Sequence, residues 1–169
     1  MELLIGCGRK WDKRIRTRGT NEWAELITLD HNPDVKPNVL HDLTIMPYPF
    51  PNNTFDEIHA YEVLEHIGQQ GDYKTFFAQF SEFHRILKPR GLFCATVPMW
   101  NNLCAWGDPS HTRVINNGTL VFLSQKQYEI QQGNTPMTDF RYIWKRDFDI
   151  FMAKEQESNF IFILQAVKE

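Results

Sequence analysis

The stretch LLIGCGRK (residues 3–10) sets three branched aliphatic side chains directly against a glycine pair. Such an apolar run, bounded by glycine, reads as a strand buried on both faces. A glycine following a buried strand lets the chain turn sharply and lets a ligand approach the backbone with no Cβ in the way. Gly6 and Gly8 therefore mark a candidate ligand loop. The dinucleotide form of this loop places a third glycine at position 11, where Trp11 stands, and no Gly-Lys-Ser/Thr phosphate cradle follows. A pyrophosphate site, and with it a nicotinamide-dependent oxidoreductase, is disfavoured.

Working outward, strand-like runs alternate with longer segments. ELLIG (2–6), ELITLD (25–30), NVLHD (38–42), FDEIHAYE (55–62) and GLFCATVP (91–98) read as five strands, the last closed by a proline that cannot continue a ladder. YKTFFAQFSEFHRILKPRG (73–91) reads as an amphipathic helix whose Phe76, Phe77, Phe80, Phe83 and Leu87 pack on a sheet, stopped by its Lys-Pro-Arg-Gly end. Only about 16 residues separate the glycine loop from the second strand, which leaves room for one short helix capped by Thr20 or Asn21. Residues 99–118, rich in Asn, Pro, Trp and His, read as a functional loop, and GTLVFL (118–123) as a short helix. DFRYIWKRDFDI (139–150) and NFIFILQAVKE (159–169) read as two long strands joined in an antiparallel hairpin. Strands interleaved with helices and ending in a hairpin give an α/β open sheet, whose ligands bind outside the carboxyl ends of the strands.

Composition sets outer bounds. The 169 residues suffice for one domain with a single core, and 14% of them are aromatic, thirteen being Phe. A net charge of −3 exerts no global pull on nucleic acid or an anionic membrane. No apolar stretch approaches a spanning helix, so no membrane association is expected. Cys7, Cys94 and Cys104 are odd in number and form no Cys-x-x-Cys pair, which points to a reduced, cytoplasmic setting.

Three successive strand ends carry groups able to reach one crevice. Asp30 closes the second strand, and its carboxylate suits a ribose diol. Asp42, followed by Leu43, closes the third, a pairing suited to adenine: carboxylate to the exocyclic amine, apolar side chain to the ring. Tyr61 and Glu62 close the fourth.

With these residues in view, the run from LLIGCG through LHDL, PFPNNTFDEI and VLEHI to LKPRG resembles a class I S-adenosylmethionine-dependent methyltransferase, of the compact methyltransferase-11-like family. It departs from the family pattern at Leu4, where an acid or Asn is usual, and at Lys10, where a glycine is common. The resemblance implies a Rossmann-like, doubly wound, seven-stranded sheet, mostly parallel with an antiparallel C-terminal hairpin. It implies one methyltransferase domain over residues 1–169, without the N-terminal cap that relatives carry. The cofactor would be S-adenosylmethionine and the product S-adenosylhomocysteine. Gly6, Cys7 and Gly8 would pass under the methionine part, Asp30 hold the ribose, His31 lie beside the adenine, and Asp42 and Leu43 read its edge. Tyr61 and Glu62 would sit near the sulfonium and the amino group.

The reaction expected is in-line methyl transfer to a small-molecule or nucleic-acid acceptor, with His66 and His111 as catalytic groups and Glu65 as a further candidate base. This reading uses no metal. A lesser alternative places a divalent cation among Glu62, Glu65, His66 and His111, since carboxylate and imidazole suit such an ion and EVLEH (62–66) resembles the metal motif of certain O-methyltransferases. A further alternative is a cofactor-binding module or accessory subunit without turnover, its substrate pocket completed by a protein partner. The basic run RKWDKRIRTR, from Arg9 to Arg18, reads either as a guide for an anionic substrate or as a solvated charged face. Trp100 and Trp106 either stack on a planar acceptor or close over the core.

Overall fold

The computed structural model describes residues 1–168. Eleven regular elements follow in chain order: β1 (Glu2–Ile5), β2 (Leu26–Asp30), β3 (Val39–Leu40), β4 (Phe55–Tyr61), α1 (Tyr73–Ile86), β5 (Leu87–Pro98), α2 (Leu103–Gly107), α3 (Asn117–Leu120), α4 (Gln125–Gln131), β6 (Phe148–Gln156) and β7 (Asn159–Ala166). The strands form one seven-stranded sheet in the order β3-β2-β1-β4-β5-β7-β6. β3 to β5 run parallel, and β7 lies antiparallel between β5 and β6. This is the α/β sheet with an antiparallel C-terminal pair that the sequence implies. Because β1 leads outward to β2 and β3 while β4 and β5 extend the other way, the strand order reverses between β1 and β4. A ligand crevice opens at such a reversal.

One face of the sheet carries the main core. Phe76, Phe77, Phe80 and Phe83 recur at helical spacing on α1, which Asp72 caps by accepting from the Thr75 amide at 3.1 Å. They pack on Leu3, Ile5 and Phe93 from the strands, with Phe83 stacked on Phe93 at 4.6 Å between centroids. β5 begins directly at Leu87 rather than at Gly91, because Leu87 already pairs with Phe55 of β4. Residues 139–147 were expected to extend β6 and instead form irregular turns. Trp144 is the reason: its fully buried ring inserts beneath the α3–α4 layer, and its indole N–H donates to the Leu123 carbonyl at 3.2 Å. No helix among the described residues is long and apolar enough to cross a membrane.

The opposite face is covered by coil where a helix would lie. Its apolar cluster of Leu4, Cys7, Ile15, Tyr61, Cys94 and Ile163 receives no α-helix among the described residues. Residues 7–25 cover it as an irregular strap, and the short helix expected there does not form. Side chains of the strap are fixed individually on the sheet instead. Lys13, buried with only 1% of its side chain exposed, donates to Glu2 at 3.0 Å and pairs with Glu57 at 2.9 Å. Thr17 donates to Glu57 at 2.6 Å, and His59 bridges Glu57 to the Tyr61 hydroxyl. Trp23 closes over His59 edge-on at 5.0 Å. Thr20 accepts the Glu22 amide in a local turn rather than capping a helix.

Removing Lys13 would leave two buried carboxylates facing each other. Lys13→Ala should therefore cost about 3–5 kcal/mol in urea unfolding. Burial alone would raise the Glu57 carboxyl, but the hydrogen bonds from His59, Thr17 and Lys13 outweigh it and hold the group at about 2 instead of 4.5. A depressed carboxyl stabilises the fold above its unfolded value and loses that contribution as pH falls toward its folded one. An acid titration of stability should show this loss between pH about 4.5 and about 2, and Glu57→Gln should remove it.

Candidate functional site

The chain leaves β1 through Gly6 in a left-handed backbone conformation, φ +58°. A Cβ at Gly6 would lie 2.2 Å from Cγ2 of Val63, which follows β4, so both the backbone angle and the packing demand glycine. Gly8 is also left-handed, φ +51°, and turns its amide onto Asp30 Oδ2 at 2.9 Å. The Asn32 amide takes Asp30 Oδ1 at 2.9 Å. Asp30 is thereby fixed at the tip of β2, with each oxygen retaining a second lone pair for a hydroxyl donor.

Beside this loop opens a groove of about 500 Å³ lined by Gly6, Asp30, His31, Asp42, Leu43 and His66. Asp42 Oδ1 accepts both the amide and the hydroxyl of Thr44 at 2.8 Å, and these bonds pull its carboxyl below the usual range. His31 is largely exposed, its Nδ1 3.5 Å from Asp30. The structure thus brings the tips of β2 and β3 to one cavity with Gly6. It also adds residues that the strand-end argument missed: His41, Thr44, Val63, Ile67 and Ser110. His41 and Thr44 flank Asp42 and were within reach of that argument. Ser110 comes from the 99–118 segment, which reads as a functional loop, but nothing in the sequence singles out this serine.

Four expected cofactor residues are not in this lining: Gly8, whose amide holds Asp30 from behind the loop, and Cys7, Tyr61 and Glu62. Cys7 and Tyr61 turn to the strap side of the sheet. The Tyr61 hydroxyl accepts the amides of Arg14 and Ile15 and bonds His59 at 2.7 Å, so it faces away from the groove. Alternation along a strand explains the error: Tyr61 shares the face of Glu57 and His59. Glu62, left-handed at φ +55°, accepts from Asn159 at 2.5 Å and is not among the groove's lining.

At the far end of the groove, a 3-10 turn (Leu64–His66) carries Glu65 and His66. The Thr112 and Arg113 amides both donate to the Glu65 carbonyl, and Gln70 donates to Thr112, which ties the 110–113 loop over the turn. His111 therefore overhangs Glu65. The Nε2 atoms of His66 and His111 each lie 4.0 Å from Glu65 Oε1, with the rings edge-to-face at 4.7 Å. Asp108 stands 3.8 Å from His111. Glu65 is 2% exposed, and neither carboxyl oxygen has a hydrogen-bond partner. Burial raises its pKa to about 8, with the Glu62 and Asp108 charges adding to the shift.

The basic run is divided. Lys13 is consumed in the strap, Arg18 reaches Glu57 at 3.3 Å, and Arg14 lies over the Tyr61 ring, whereas Arg9, Lys10 and Arg16 remain exposed. Trp100 and Trp106 do not close over the core; they are 50% and 67% exposed, joined by the Trp106 indole N–H to the Trp100 carbonyl at 2.7 Å.

A sequence profile described as "Methyltransferase domain" matches residues 3–95. The chain belongs to this methyltransferase family. A sterol 24-C-methyltransferase of Pneumocystis carinii is 31% identical over 70 residues, 41% of this chain and 17% of that protein. This chain therefore aligns with about a sixth of that relative's length. Among solved structures, a methyltransferase dependent on S-adenosylmethionine from Archaeoglobus fulgidus superposes with a TM-score of 0.58 at 16% identity, covering 97% of this chain and 85% of that one. A methyltransferase from Methanosarcina mazei gives 0.57 at 17%, covering 99% and 92%. A protein solved as a complex with a Haloferax volcanii methyltransferase activator gives 0.60 at 15%, covering 99% and 82%. These likenesses show the fold.

The folded protein holds the Glu65 proton more tightly than the unfolded chain does, so this group makes stability decline as pH rises from about 4.5 to about 8. Glu65→Gln should abolish that decline. Its Tm advantage over the unsubstituted protein should grow between about pH 5 and about pH 8, each kcal/mol recovered being worth roughly 2–4 °C in a chain of this size.

Proposed function

We propose that the groove holds S-adenosylmethionine with its adenosine across Asp30 and Asp42 and its sulfur toward His66, and that the His66–His111 end receives the methyl acceptor. The observation that carries this is the convergence of Asp30, Asp42 and Leu43 with Gly6 in one cavity of about 500 Å³, a size within the range of small-molecule sites. The residues fit the group. Asp30 is ordered by two amides and keeps lone pairs for a ribose diol; Asp42 is held ionised by Thr44; and Gly6 leaves the backbone bare where a side chain would stand.

When bound, the cofactor supplies a methyl carbon on a sulfonium, to be taken by an acceptor lone pair in line with the carbon–sulfur bond while that bond's electrons remain on sulfur. The protein's task is alignment. A hydroxyl or ammonium acceptor must also lose a proton. His66 and His111 are placed to take it, and His66 Nδ1 is oriented by the Ser110 carbonyl and hydroxyl at 3.3 and 3.1 Å. The acceptor is a small molecule or a nucleic acid, and the exposed Trp100 and Trp106 rings, on the same 99–118 segment as His111, offer a stacking surface for a planar one. Titration calorimetry with S-adenosylhomocysteine tests the assignment. Asp42→Ala should weaken binding by roughly 10- to 100-fold, the worth of a charge-assisted hydrogen bond, while His111→Ala leaves it unchanged. Unaltered affinity in Asp42→Ala would refute the adenine assignment.

A second reading rests on the orphaned Glu65 carboxyl. Glu65, His66 and His111 offer ligand atoms within 4.8 Å of one another, and a divalent cation there would satisfy oxygens that nothing else in the fold satisfies. Glu62, held by Asn159, is outside this set. Such an ion would polarise an acceptor hydroxyl. Zinc or magnesium chloride added to metal-free protein should raise Tm, and Glu65→Gln and His111→Ala should each abolish the rise. No shift with any divalent cation tested would eliminate the metal.

A further inference from the structure

Lys13 and Arg113 are the lysine and arginine side chains buried among the described residues, each 5% exposed. Lys13 meets two carboxylates. Arg113 forms no ion pair among the described residues. Its Nη2 donates to the Gln69 and Asp72 carbonyls at 3.4 and 3.1 Å, and its Nη1 has no acceptor. The backbone makes room for this group: Gly68 is left-handed, φ +76°, and a Cβ there would lie 2.5 Å from Nη2 and 3.0 Å from Cζ. A guanidinium taken out of water with no opposite charge is costly until an anion joins it.

Arg113 also lines a cavity of about 250 Å³ whose walls are mainly aromatic: Tyr73, Phe76 and Phe77 from the start of α1, Phe122 after α3, and Phe140. The Phe140 ring lies 5.2 Å from both Tyr73 and Phe77 and 5.6 Å from Phe122, and the Arg113 Cζ stands 5.3 Å from the Phe76 centroid. Asp72 is the one acid in the lining, and its Oδ1 is engaged in capping α1 through the Thr75 amide. An apolar wall with a few placed polar groups is the make-up of small-molecule sites. Roughly 150 Å³ suffices for a benzene ring, so this volume admits a ring with a short polar arm.

We propose that this cavity binds a small aromatic carboxylic acid, its ring among Phe76, Phe77, Phe122 and Phe140 and its carboxylate on the unpaired guanidinium of Arg113. One guanidinium in an apolar wall matches a single negative charge, which a planar carboxylate presents to the N–H fork; a doubly charged phosphate would keep one charge unmatched. None of the residues lining this cavity lines the cofactor groove, so the inference does not rest on the methyl-transfer reading. The two sites share backbone: Gln70 donates to the Thr112 carbonyl and Thr112 to that of Glu65, so the segments bearing His66 and His111 run on into the cavity wall.

The test titrates the isotope-labelled full chain with phenylacetate and follows its amide resonances. Shifts should saturate at residues 69–77 and 112–122, with a dissociation constant below about 1 mM for a ligand of about ten non-hydrogen atoms. Phenylacetamide has the same shape without the charge and should bind at least about tenfold more weakly, as should acetate and inorganic phosphate. Arg113→Gln should weaken phenylacetate at least about tenfold and abolish its preference over phenylacetamide. Phe140→Ala, at a half-buried position, should weaken both aromatic ligands alike, by about three- to tenfold. Should Arg113→Gln fail to fold, the two ligands compared on the unsubstituted protein, together with Phe140→Ala, decide the matter. The proposal is overturned if phenylacetate does not bind, if phenylacetamide or phosphate binds as tightly, or if folded Arg113→Gln keeps the affinity. It is equally overturned if Phe140→Ala changes nothing, or if the shifts fall at the groove between Asp30 and Asp42.

Discussion

Gly6 lies against Val63 with a left-handed backbone and no Cβ between them, and the site is built around that contact. It brings the end of β1 and the turn after β4 together at the point where the strand order reverses. Every other feature of the groove is placed relative to this junction. Gly8 turns its amide onto Asp30 because the chain has already been bent at Gly6, and the turn bearing Glu65 and His66 starts from Val63 itself. A side chain at position 6 would need to displace the origin of that turn.

Around the junction the protein spends its polar groups in two contrasting ways. On the strap side, Lys13, Glu2, Glu57, His59 and Tyr61 form a closed network in which each buried charge meets an opposite charge or a donor. Burial lowers the His59 pKa against the pull of Glu57, consistent with a neutral ring that donates at Nε2 and accepts at Nδ1. Such a network stabilises only when complete. On the groove side the Glu65 carboxyl finds no hydrogen-bond partner among the described residues, and burial pushes its pKa up. The closed network fixes the strap in place of a helix, while the open group sits where chemistry would occur.

Strand existence was legible because three-residue apolar runs bounded by Gly, Asp and Pro have one good solution. The α1 phenylalanine stripe was legible because its spacing matches a helix with one buried face. The failures share a cause: each segment read wrongly is governed by a distant partner. Residues 139–147 have strand-like composition, but Trp144 is claimed by the Leu123 carbonyl. Residues 7–25 had room for a helix, but Lys13 is claimed by Glu2 and Glu57. Tyr61 ends a strand beside the glycine loop, yet strand alternation points it to the strap.

The sequence by itself determined the parallel sheet, the glycine junction and the two aspartates at strand tips, because these follow from local backbone demands and from the order in which strands are laid down. It also brought Glu65 and His66 onto one turn, since they are adjacent in the chain. Only the tertiary structure decided that His111 stands over Glu65, that Cys7 and Tyr61 face away, and that a strap covers the second face where a helix had room. Those outcomes depend on which side chains reach each other across tens of residues, and local propensity carries no information about such distances.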